Sequence, residues 1–130
     1  MVAKVLKKGL ELLTEQIGEG PPVRKHAFFR IELRMWLHQG DPVRWNDPWG
    51  LLDDAHLEDG GTVLITAVRV DRVFLVAGLF YGIQGMNVGG TRLLRIAPHL
   101  AYGEKGLQGT IPPNAILTAE LSVIGERTAG

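Results

Sequence analysis

Side chains able to do chemistry are few in this sequence. The four histidines, His26, His38, His56 and His99, show no helical metal spacing, and no carboxylate cluster completes a ligand set around them. Asp53 and Asp54 are adjacent, so on a strand they would face opposite sides. They read as a solvated loop pair and not as an acid/base couple. The absence of cysteine removes thiol catalysis, disulfides and zinc thiolate sites. The glycines of GIQGMNVGG do not lie between a clear strand and a helix start, so no phosphate or dinucleotide loop is expected. An enzyme built from these residues must work without a covalent intermediate or proton transfer, and no metal or cofactor is expected. What stands out is AYGEKGLQGTIPPNAILTAEL, Ala101 to Leu121. It is a loop with Tyr102 at its entrance and Pro112-Pro113 at its exit, followed by an apolar alternation.

The elements that must position such a loop read mostly as antiparallel strands. Leu10 to Gln16 predicts a first strand, ended by GEGPP. In Val23 to Leu37, Phe29, Ile31, Leu33, Met35 and Leu37 alternate with Arg30, Glu32, Arg34 and Trp36, the period of a strand with one face in the core. HQGDP is turn chemistry, and a hairpin returning through Val43 and Trp45 is expected. Residues 45–61 are irregular, with Pro48, two tryptophans, several aspartates and a glycine pair. They read as a long inserted loop with one helical turn near Leu51 to His56. Thr62 to Val70 is a β-branched strand. Phe74 to Met86 fits a buried helix as well as a strand, and Gly78, Gly82 and Gly85 lower its helix propensity. Thr91 to Ala97 and Ile116 to Arg127 are the last strands. The pattern is α+β.

The 130 residues suit one domain, 1–130, able to bury its own core. Fourteen basic and fourteen acidic residues leave no net charge, which argues against a nucleic-acid partner. No apolar run approaches the roughly 18 residues of a membrane span. MVAKVLKKGLELL lacks the apolar core and cleavage site of a signal peptide, so a cytoplasmic location is expected.

The C-terminal half resembles FKBP-type peptidyl-prolyl isomerases. Gly78 to Gly90, GLFYGIQGMNVGG, is similar to that family's G-W-x-x-G-x-x-x-M-x-V-G segment. Arg95 to Gly103, RIAPHLAYG, is similar to its I-x-P-x-x-A-Y-G, and Leu107 to Ala115, LQGTIPPNA, to its G-x-I-P-P-N-A loop. The resemblance implies an antiparallel β half-barrel wrapped around one short α-helix within residues 77–85. It also implies a loop overhanging a shallow apolar pocket, with Tyr102 at the edge able to donate to a substrate carbonyl. Leu33, Val43, Leu75, Val76, Leu79, Leu107 and Ile111 fall at the other pocket positions. The implied activity is cis–trans isomerisation of X-Pro bonds in a proline-containing peptide or an unfolded protein, by a monomer in the service of protein folding.

The sequence departs from the family pattern around that pocket. Leu79 stands where the floor tryptophan is usual, and Leu33 near the place of an early-strand tyrosine. Val43 and Arg44 replace a Phe-Asp pair in the simplest alignment. Ala119 replaces an aromatic of the last strand, and Thr66 falls near the place of another. These departures favour a second reading, an FKBP-fold module that binds peptide or protein with little or no isomerase activity. Trp45 and Trp49 offer a replacement, since either could turn into the cleft or instead anchor the 45–61 loop.

Overall fold

The computed structural model describes residues 3–45 and 53–127. Strands β1 (Lys4–Lys7), β2 (Leu10–Gln16), β3 (Phe28–Leu37), β4 (Asp53–Glu58), β5 (Val63–Arg69), β6 (Thr91–Ile96) and β7 (Leu117–Glu126) form one sheet in the order β1-β2-β6-β7-β3-β5-β4. Every pairing is antiparallel. One α-helix, α1 (Ala77–Ile83), is present among the described residues. This is the expected α+β arrangement, with the helix inside residues 77–85.

Alternation dictates the central strands. On β3, Phe29, Ile31, Leu33 and Met35 are buried, and on β7 so are Leu117, Ala119, Leu121 and Val123. The register pairs Leu33 with Leu121 and Met35 with Ala119, so the two apolar rows share one face. On the outer face Arg34 donates to Glu32 and to Glu120, each at 3.1 Å.

The helix forms against its intrinsic propensity, and packing supplies the reason. A Cβ on Gly78 would lie 2.4 Å from Ile96 Cγ2, and one on Gly82 would lie 2.5 Å from Leu94 Cδ1. The two glycines, four residues apart, form the helix face that sits directly on β6. No larger residue would let the backbones approach so closely. The end of the helix is held by Arg92, an inward-facing residue of β6. Its Nη1 donates to the carbonyls of Gly82 at 3.0 Å and Gln84 at 2.8 Å, and its Nε pairs with Glu15 at 2.8 Å.

Two expectations are corrected. Residues 45–61 are not one long loop, because Asp53–Glu58 is strand β4, paired with β5, and Asp59–Gly61 is a 3-10 turn. His56 therefore lies in a strand and not in a helical turn. The polar sequence of β4 hid it, since an edge strand needs little apolar alternation. Strand β1 was also missed, for the same reason: its sequence is KVLK and it lies at the other edge. The hairpin after β3 is realised as a tight turn. Val43 N–H donates to Met35 O at 2.8 Å and Pro42 bridges to Trp36, without a regular strand.

Candidate functional site

The inner face of the β3–β5 pair opens a cavity of about 450 Å³. The register pairs Ile31 with Thr66 and Leu33 with Leu64, and these four side chains line its wall together with Val68. The turn from β5 into α1 adds Val73, Phe74, Leu75 and Val76, and the helix adds Leu79. That turn is shaped by Asp71, whose carboxylate accepts from the backbone N–H groups of Val73 at 3.0 Å and Phe74 at 3.1 Å, and also from Arg69. Phe74 is steadied by an edge-to-face contact with Phe28, centroids 5.8 Å apart, and by the Arg69 guanidinium 5.5 Å from its ring.

The far wall comes from the loop after β6. Pro98–Leu100 makes a 3-10 turn, and Tyr102 follows it. Gly106 N–H donates to Tyr102 O at 3.0 Å and Asn114 N–H to Gly103 O at 2.8 Å. Leu107 and Ile111 exchange both backbone bonds, at 2.8 and 2.7 Å. Pro112-Pro113 thus stiffens the return of a loop that is tied across its base, and this holds Tyr102 and Leu107 over the cavity. Burial pushes the Tyr102 phenol from 10.0 up to about 12. Its hydroxyl therefore stays a protonated donor at neutral pH, and among the described residues it has no hydrogen-bond partner. The other polar groups of the lining are the Thr66 hydroxyl and the buried indole N–H of Trp45.

Six of the eight pocket residues expected from the sequence meet in this cavity: Leu33, Leu75, Val76, Leu79, Tyr102 and Leu107. Two do not. Val43 is 1% exposed, packs in the core beside β3, to which its N–H is tied at Met35 O, and does not line the cavity. Ile111 is buried in the core cluster and borders a second hollow, with Lys105 and Pro113, and does not line the cavity. Arg44 is exposed and donates to Gly60 O at 3.2 Å, so it does not enter the site. Trp45 does enter: it is 5% exposed and forms part of the wall. Trp49 lies outside the described residues. Sequence reasoning missed Ile31, Leu64, Val68, Val73 and Phe74. The alternation of TVLITAVRV pointed to Leu64 and Val68 once Thr66 was placed on the inner face. Among the described residues no group of three His, Cys, Asp or Glu could hold a metal ion.

Residues 56–124 match the model of the FKBP-type peptidyl-prolyl cis-trans isomerase family. The chain is 34% identical over 94 residues to the yeast (Saccharomyces cerevisiae) peptidyl-prolyl cis-trans isomerase FPR2, covering 69% of this chain and 68% of that one. It is 33% identical over 101 residues to mouse (Mus musculus) FKBP9, covering 77% of this chain but 18% of that protein. Among solved structures, it superposes on a Pseudomonas syringae peptidyl-prolyl cis-trans isomerase with a TM-score of 0.72 at 21% identity, covering 97% of this chain and 81% of that one. The N-terminal domain of Arabidopsis thaliana FKBP42 gives a TM-score of 0.71 at 22% identity, covering 98% and 94%. The chain belongs to the FKBP-type peptidyl-prolyl cis-trans isomerase family. It spans only a fraction of several longer relatives, 18% of mouse FKBP9 and 15% of human FKBP10.

Proposed function

We propose that this chain is a peptidyl-prolyl cis-trans isomerase acting on X-Pro bonds of peptides or folding proteins. The observation that carries the reading is a cavity lined almost wholly by apolar side chains, with the protonated Tyr102 hydroxyl among its few polar groups, in a member of this family. Rotation of an X-Pro bond crosses a barrier of roughly 18–20 kcal/mol because amide resonance is lost in the twisted state. The planar amide is the more charge-separated form and gains more from water. Moving it into a dry wall of Leu33, Leu64, Leu75 and Leu79 therefore costs the planar form more than the twisted one. Tyr102 O–H holds the substrate carbonyl while the proline side turns. Each 1.36 kcal/mol of such discrimination is worth about tenfold in rate. No base, nucleophile or metal takes part.

A second reading, an FKBP-fold binding module with little activity, is favoured by one specific observation. The family's acidic partner at the site is replaced by Arg44, which is turned to Gly60 O and supplies nothing to the cavity. A protease-coupled or exchange-NMR isomerisation assay on peptides with several residues before proline separates the two. A catalysed rate above the spontaneous one supports the isomerase. A rate equal to it at high protein concentration, with peptide still bound, supports the module. On either reading the expected partner is a proline-containing peptide or unfolded chain met by a cytoplasmic monomer.

A further inference from the structure

We infer that Trp45 is the aromatic surface against which a bound proline packs, and so the residue that sets affinity at this site; the inference rests on the proline-site reading above. Aromatic-lined grooves are a general solution for proline recognition, because a flat ring face matches the rigid pyrrolidine. The usual places for such a face are aliphatic or small here: Leu33, Leu79 and Ala119. Trp45 lies outside the family-matched residues 56–124, yet it is buried in the wall of the same cavity.

Its placement is fixed from both sides. Val43 N–H donates to Met35 O, which ties the preceding residues to β3. Trp45 N–H donates to Gly61 O at 2.8 Å, and Arg44 Nη1 reaches Gly60 O at 3.2 Å. Gly61 has φ +91°, and a Cβ there would lie 2.9 Å from Trp45 O, so this close approach requires glycine. The 3-10 turn before β5 and the turn after β3 therefore grip one short segment whose inward residue is the indole. A tryptophan serving only to fill the core would be equally buried, so the test needs a readout of binding.

The full chain is titrated with a tetrapeptide containing a Leu-Pro bond. The Trp36→Phe, Trp49→Phe background leaves Trp45 as its sole tryptophan. Saturable change of Trp45 emission is expected, and no change at saturating peptide, with isomerisation or binding detected by NMR, overturns the inference. In parallel, Trp45→Leu should raise KM about 3–10-fold and affect kcat less, while Trp45→Phe retains most of the affinity. Equal KM for folded Trp45→Leu and the parent overturns the inference while leaving the isomerase reading standing. If Trp45→Leu does not fold, Trp45→Phe and the emission titration decide. If the parent is inactive but binds the peptide with a Trp45 signal, the isomerase reading fails and the inference holds. If the parent neither turns over nor binds the peptide, both fall.

Discussion

At the residue scale the site depends on one hydroxyl and on dryness. Tyr102→Phe removes a donor and keeps the ring, so it should leave the fold intact and cost about 0.5–1.5 kcal/mol in the barrier, roughly 2–10-fold in kcat/KM. The coupled peptide assay checks this against the parent. Val76→Asp places an unpaired carboxylate in the lining and should abolish turnover, because a buried charge brings water with it. Thermal melts alongside the assay distinguish loss of site from loss of fold. The phenol itself is measurable: in a Tyr81→Phe background, ultraviolet titration should find the Tyr102 transition near pH 12 and not 10.

At the scale of elements, α1 survives its glycines because β6 and Arg92 complete it. Arg92→Leu would leave the Gly82 and Gln84 carbonyls without their donor and Glu15 without its cation. The expected loss is about 3 kcal/mol, read by chemical denaturation, with Glu15→Gln costing less because the carbonyl contacts remain. The turn before β5 is equally specific. Gly61→Ala forces a side chain into positive φ beside Trp45 O and should destabilise by about 1–3 kcal/mol. Because that turn also grips Trp45, peptide affinity should fall with stability, whereas in Arg92→Leu it should fall less at temperatures where the chain is folded.

For the whole molecule, stability should be bounded on both sides of pH by groups at the site's rim. Partial desolvation raises the Asp71 carboxyl, but the Phe74 N–H, the Arg69 guanidinium and the Val73 N–H outweigh it and hold it below its ordinary 3.8. A lowered carboxyl contributes stability that is present above 3.8 and lost as pH falls through its folded value. Tyr102 behaves oppositely: its raised pKa leaves stability complete below pH 10, and that stability is lost as pH rises through about 12. Urea denaturation across pH should show a plateau between these limbs. Asp71→Asn should flatten the acid limb and Tyr102→Phe the alkaline one.

Period-two alternation in Phe29 to Leu37, in Thr62 to Val70 and in the last strand determined by itself which strands form the centre of the sheet, since one buried face leaves a direct mark on residue order. The ordered segments around Gly78, Tyr102 and Pro112-Pro113 made the half-barrel, the helix and six of the wall positions legible. The edge strands β1 and β4 left no such mark, because strands paired on one side tolerate polar residues throughout. Tertiary structure alone decided which of two neighbouring side chains faces the cavity. Val43 and Trp45 are two residues apart and both buried, yet only Trp45, whose backbone is held at Gly61 O, reaches the cavity wall. Ile111 likewise stays in the core while Leu107, paired with it, reaches the cavity wall. Such choices rest on contacts between segments far apart in the chain, and local residue order carries no record of them.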